Sequence, residues 1–164
     1  MARCLIIGCG CRGQMLARAL VGQGHAVRGT TRRPERAREI EAAGAESAVG
    51  DPDRLGSLVG ALDHVSVALI LLGSAGGNER ALAELHGPRL QALLTKMIDS
   101  TIHGVVYEAS GTVDPDLLEA GRSATLAFGE RARARVALLE ADPADREGWL
   151  EEALSSVEAV LAPG

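Results

Sequence analysis

Aromatic side chains are almost missing from this chain, with one Phe, one Tyr and one Trp in 164 residues. That leaves no platform for stacking bases, and a net charge of -5 with scattered basic residues adds to the case against a nucleic-acid partner. Lysine is nearly absent too: Lys96 stands alone among arginines. No apolar run approaches the roughly 18 residues that a membrane span needs, so no membrane partner is expected. The start of the chain, "MARCLIIGCGCRG", passes from a short apolar segment straight into glycines, without the small-residue cleavage site of a signal peptide, and the expected location is cytoplasmic. The three cysteines, Cys4, Cys9 and Cys11, fall within eight positions of one another, which excludes a disulfide framework. A lone C-x-C without a second ligand pair also gives no metal site.

What the chain does have is rhythm. Short β-type apolar runs alternate with longer helical stretches, the pattern of a parallel sheet covered on both faces. Strands are expected at 3–8, in "GHAVRGTT", in "AESAVGD", at Val65–Gly73, in "GVVYEASG" and in "RVALLEAD". Helices are expected at about 13–23, in "RRPERAREIEAAG", in "DPDRLGSLVGALDHV", in "GGNERALAELHGPRLQALLTKMID" with a break at Gly87-Pro88, in "DPDLLEAGRSATLAFGERA" and in "ADREGWLEEALSSVEAVL". In the last of these Trp149, Leu150, Leu154, Val157 and Leu161 fall near one stripe. The fold class implied is α/β: a doubly wound, parallel, six-stranded Rossmann sheet of order 3-2-1-4-5-6 with helices on both faces. The expected organisation is one domain over 1–164, with no residues left for a separate substrate domain.

The chemistry concentrates in "CLIIGCGCRGQMLARAL", where a G-x-G-x-x-G follows a strand and opens a helix. In that setting Gly8 permits a tight turn, Gly10 leaves room for a pyrophosphate, and Gly13 lets the helix pack closely on the strand. Free N–H groups around Cys11, Arg12 and Gly13 face the anion, aided by the helix dipole. The ligand is therefore a small-molecule dinucleotide. An NAD site calls for a carboxylate at the end of the second strand, but "VRGTTRRPER" offers Thr30, Thr31, Arg32 and Arg33. Hydroxyl plus guanidinium suits the 2′-phosphate of NADP (NADPH).

The stretch "LIIGCGCRGQMLARALVGQGHAVRGTTRRPERA", with "GAESAVGDPDRLGSLVGALDHV" and "GVVYEASG", resembles the extended and atypical short-chain dehydrogenase/reductases, the NAD(P)-binding epimerase-like and NmrA-like group. The resemblance covers most of residues 3–112. It implies that Asp51 lies near the adenine, that Leu72, Gly73 and Ser74 line the nicotinamide side, and that Ser110 matches the serine of the family's strand-five segment. Catalysis in active members of that group rests on a Tyr-x-x-x-Lys pair. This chain lacks it: four residues after Tyr107, its only tyrosine, stands Gly111, and Lys96 precedes Tyr107. Tyr107 reads as packed, and His86 and His103 read as ordinary helix-end or loop residues. Glu108 and Ser110, at the carboxyl end of a central strand, are the remaining catalytic candidates. Two functions stay open: an oxidoreductase acting on a small carbonyl compound, or a non-catalytic NADP-binding sensor of the NmrA-like kind. A mononucleotide or flavin binder on the same sheet is a third. Any substrate site is a shallow crevice or is completed by a second subunit, for which the last helix offers a homodimer face.

Overall fold

The computed structural model describes residues 1–163. Its single sheet contains β1 (Arg3–Ile7), β2 (Ala26–Thr31), β3 (Glu46–Val49), β4 (Val67–Ile70), β5 (Gly104–Glu108) and β6 (Arg135–Leu139). All pairings are parallel and the order is β3-β2-β1-β4-β5-β6. The strands nearest the centre are apolar on both faces, because helices cover both. β4 and β5 are buried at every position.

On one face lie α1 (Cys11–Gly22), α2 (Ala37–Ala42) and α6 (Arg146–Leu161), whose Leu16, Leu20, Ile40, Trp149 and Val157 enclose Cys4, Ile6, Val67 and Val106 of the sheet. On the other, α4 (Leu90–Ile98) and α5 (Pro115–Ala132) bring Leu93, Leu94, Met97 and Phe128 against Leu5, Ile7, Ile70 and Val105. Fully burying each such side chain contributes about 1.5–3 kcal/mol. The sheet is thus clamped from two sides. α5 starts where its sequence signals it: the Asp114 carboxylate caps the N–H of Asp116, and Pro115 occupies the first helical position.

Two expectations need correction. The stretch "DPDRLGSLVGALDHV" is not an α-helix but a pair of 3₁₀ turns, Leu55–Ser57 and Val59–Leu62, after a bridge between Asp51 and Arg54. Gly56 and Gly60 weaken a helix. The Ser57 hydroxyl also accepts from Asp51 N at 2.8 Å and donates to Arg54 O at 2.6 Å, offering the backbone a local alternative. The last helix also buries a stripe offset from the expected one, with Trp149, Ala153, Val157 and Val160 inward and Leu150, Leu154 and Leu161 at its margins.

The break at Gly87-Pro88 is present. Between α3 (Glu79–Glu84) and α4 the chain makes a π-type turn, Leu85–Arg89, kinked at Gly87 (φ −114°, ψ −107°). Among the described residues no helix is long and apolar enough to cross a membrane.

Candidate functional site

The site is built outward from the turn between β1 and α1. Gly8 adopts φ +85°, a left-handed conformation that strains any side chain. Its N–H donates to the Thr30 hydroxyl at 3.3 Å, while Cys9 N donates to Thr30 O at 3.0 Å, so the turn is pinned to the end of β2. A β-carbon at Gly10 would meet nothing within 4 Å, whereas one at Gly13 would crowd Gly8 O and Ile6. The second glycine therefore opens space and the third brings helix and strand together. No side chain caps α1, and its ladder begins at Gln14 N to Gly10 O, 2.8 Å. The N–H groups of Cys11, Arg12 and Gly13 thus lack intrahelical acceptors.

Above this turn runs a cleft of about 390 Å³. One end is walled by Thr30, Thr31, Arg32, Arg33 and Arg36; the middle by Gly8, Cys9, Gly10 and Arg12; the other end by Leu71, Leu72, Ser74, Ala75 and Leu85. Thr31 organises the arginine end: its hydroxyl accepts from Arg33 N at 3.1 Å and donates to Arg33 O at 3.3 Å. A smaller chamber of about 270 Å³ adjoins the cleft along Gly8, Gly10, Arg12 and Leu71, and adds Cys11, Gly13, Glu108 and Trp149 to its walls.

Other anticipated residues take definite positions. Asp51 turns its carboxylate to Asp53 N at 2.9 Å, and the neighbouring wall of the cleft is formed by Gly50, Pro52 and Asp53. Gly73 donates from N to Glu108 Oε1 at 2.9 Å, and its carbonyl accepts from Val113 N. Ser74 Oγ accepts from Thr112 N at 3.3 Å. Ser110 Oγ donates to Ala141 O at 2.7 Å, tying the end of β5 to the segment before α6. Glu108 is 2% exposed, and its second oxygen accepts from the Trp149 indole at 2.8 Å. Burial pushes its pKa up, against lowering by the hydrogen bonds from Trp149 and Gly73 and by the nearby Arg12 charge.

Several residues at the site carried no distinct sequence signal. Arg36 and Asp53 join the cleft although each reads as an ordinary surface charge; the only clue to Arg36 is its place one turn beyond Arg32 and Arg33 around Pro34. His86 does lie at a helix end, in the turn after α3, but it is only 2% exposed. Its Nε2 lies 3.0 Å from Leu72 O and its Nδ1 2.7 Å from the Tyr107 hydroxyl. A carbonyl can only accept, so Nε2 carries the proton and Tyr107 donates to Nδ1. Tyr107 is fully buried, as expected of a packed residue.

Comparison with known proteins fits this geometry. Residues 3–59 match the sequence model of a family described as NADP oxidoreductase coenzyme F420-dependent, a match that spans β1, α1, β2, α2 and β3. The chain has the Rossmann fold. A short-chain dehydrogenase/reductase superfamily protein from Agrobacterium tumefaciens with bound NAD superposes with a TM-score of 0.71 at 19% identity, covering 84% of this chain and 48% of that one. Triphenylmethane reductase from Citrobacter sp. complexed with NADP(H) gives 0.64 at 19% identity over 84% and 48%. UDP-glucuronic acid 4-epimerase from Bacillus cereus in complex with NAD gives 0.62 at 13% identity over 84% and 55%. This Rossmann chain therefore spans about half the length of the solved structures it matches. No curated protein matches its sequence.

Proposed function

We propose that this protein binds NADP(H) and acts as an oxidoreductase on a small carbonyl compound. The observation that carries the reading is the cleft itself: a guanidinium-rich end at Thr31, Arg32, Arg33 and Arg36 leads past the glycine turn to Leu72 and Ser74 in one continuous space. The residues fit the cofactor. Uncapped N–H groups of α1 suit the pyrophosphate, and the end of β2 offers arginines where NAD-binding sites carry an acid, a chemistry that suits a 2′-phosphate. The bound cofactor would supply or accept a hydride. The protein's own part is to hold it, with Leu72 and Ser74 bordering the nicotinamide half and Asp51 and its neighbours the adenine half.

One observation favours a second reading, a cofactor-binding sensor without turnover. The only tyrosine is sealed in the core on His86, Lys96 is exposed on α4, and Glu108 and Ser110 already use their polar atoms on protein partners. The test is calorimetric titration of ligand-stripped protein with NADPH and NADH, repeated with Arg32→Ala/Arg33→Ala, followed by NADPH oxidation against a carbonyl panel. NADPH binding that weakens by at least about tenfold in the double variant supports the phosphate grip, given about 1.5–3 kcal/mol per charged hydrogen bond. Turnover then selects the enzyme, and binding without turnover the sensor. Absence of binding to either nucleotide rejects both.

A further inference from the structure

β6 ends the sheet with an open edge. Arg135 N donates to His103 O and Leu139 O accepts from Ala109 N. Arg135 and Leu139, and Ala137 between them by the strand's two-residue repeat, therefore turn their backbone groups to β5. The N–H and C=O of Val136 and Leu138 face the other way, off the sheet. The next outward donor, Glu140 N, is already taken by the Glu152 carboxylate at 3.0 Å, and that bond closes the open stretch.

Edge strands usually carry charge, proline or a bulge that discourages pairing. β3, the other edge, has Glu46 and Ser47 among its residues, and Glu46 pairs with Arg3 and Arg28. Between its ends β6 reads Val136-Ala137-Leu138, each half-buried. α5 extends this apolar strip. Its Arg122 pairs with Glu140 and its Gly129 sits against Val136, and Leu126, between them on the same helix face, is 43% exposed.

Charge gives the edge a direction. Arg131 and Arg133 lie exposed before the strand and Arg135 begins it, whereas Glu140 and Asp142 lie exposed beyond its end. An antiparallel neighbour reverses that order, so the basic end of one copy would meet the acidic end of another. The outward face of α6 offers no such match: Glu147, Glu151 and Glu158 are exposed along it and would repel their own copies across a two-fold axis.

We propose that β6 is the seam of a two-fold dimer, in which two copies of this chain pair their β6 strands antiparallel about Ala137. Val136 of each copy then exchanges both backbone bonds with Leu138 of the other, and the two Ala137 residues meet as a non-hydrogen-bonded pair. The seam is independent of the dinucleotide reading.

The test is sedimentation equilibrium of the full chain across about 1–100 μM, the range in which a dimer of micromolar Kd dissociates. Twice the monomer mass is expected. Val136→Pro removes an N–H that the strand's own sheet does not use, a place where edge strands accept proline. It should keep the far-ultraviolet spectrum and weaken the dimer by at least about tenfold. Ala137→Cys in a Cys11→Ser background should form an intermolecular disulfide on mild oxidation, because the Cα atoms of such a pair lie about 4.5 Å apart, within disulfide range. Val59→Cys in the same background, exposed in the segment between β3 and β4, should not. A monomer across the whole range overturns the proposal. So does a dimer that folded Val136→Pro leaves intact, which places the contact on another face, or equal crosslinking of the two cysteine variants, which reports random collision. Should Val136→Pro unfold, selective crosslinking through Ala137→Cys upholds the seam and its absence overturns it.

Discussion

Tyr107 and His86 form a buried hydroxyl-to-imidazole hydrogen bond of 2.7 Å, and the far side of the same imidazole donates to the Leu72 carbonyl at 3.0 Å. The chain of bonds links β5, the π-type turn before α4 and the loop after β4. Gly121 of α5 makes it sterically feasible, since a β-carbon there would overlap the Tyr107 hydroxyl. Tyr107→Phe strands the His86 acceptor in an apolar core and should cost about 1–3 kcal/mol. Gly121→Ala should cost a similar amount, about 1–3 kcal/mol, through overpacking. Urea unfolding of the two variants checks both, and the double variant Tyr107→Phe/Gly121→Ala should be less destabilised than the two losses summed, because the phenol is the group the alanine displaces.

The same imidazole sets an acid limit on stability. Burial lowers the pKa of His86 below its ordinary value of 6.5, and the bond to Leu72 O only partly opposes it. Its contribution is therefore complete above the unfolded-state pKa and is lost as pH falls from there through the lower folded-state value. Between about pH 7 and about pH 5 the melting temperature of the wild type should fall more steeply than that of His86→Gln. Parallel slopes would show that His86 is not the group responsible.

Glu108 gives the opposite sign. Burial holds its folded pKa above the ordinary value of 4.5, so its ionisation weakens the native state as pH rises through the folded value. The amide of Glu108→Gln can serve only one of the two N–H groups now facing the carboxylate and turns its own NH₂ toward the other. A loss of about 1–3 kcal/mol is expected. Trp149 is the only tryptophan, so its emission reports this bond directly, and the variant should shift the spectrum even where the fold is retained.

Thiol chemistry should separate the three cysteines. Burial pushes the Cys4 thiol up to about 11 and that of Cys9 up to about 12, whereas Cys11 is exposed on the rim of the small chamber. Thiolates react and thiols do not. An aromatic disulfide reagent should titrate one thiol in the native protein and three in denaturant, and saturating NADPH should slow the native reaction. Unchanged rates with NADPH would place Cys11 away from the bound cofactor.

The strands and the glycine turn were legible because both are local, apolar runs of strand length and then glycines before a helix, and the sheet order follows from their regular alternation with helices. The segment 51–64 was not, since its hydrophobic spacing suits a helix while Gly56, Gly60 and the backbone-bonding Ser57 oppose one. His86 looks polar beside a Gly-Pro pair, and only the vacancy left by Gly121 on a later helix gives it a buried partner in Tyr107. Glu108 is readable as a strand-end carboxylate. That its oxygens meet a backbone N–H of one loop and the indole of the last helix depends on the assembled fold.

The π-type turn at Leu85–Arg89 joins α3 to α4 across a kink at Gly87, so the two helices need not share a phase. An α-helix advances about 100° per residue, from 3.6 residues per turn. Deleting Gly87 to restore a regular helix would therefore rotate Leu90, Leu93, Leu94 and Met97 off the sheet together, or drag His86 out of reach of Leu72. The irregular turn works as an angular spacer: it aims its own His86 at the cleft wall and lets the helix that follows aim four apolar side chains at the core, with neither orientation imposed on the other.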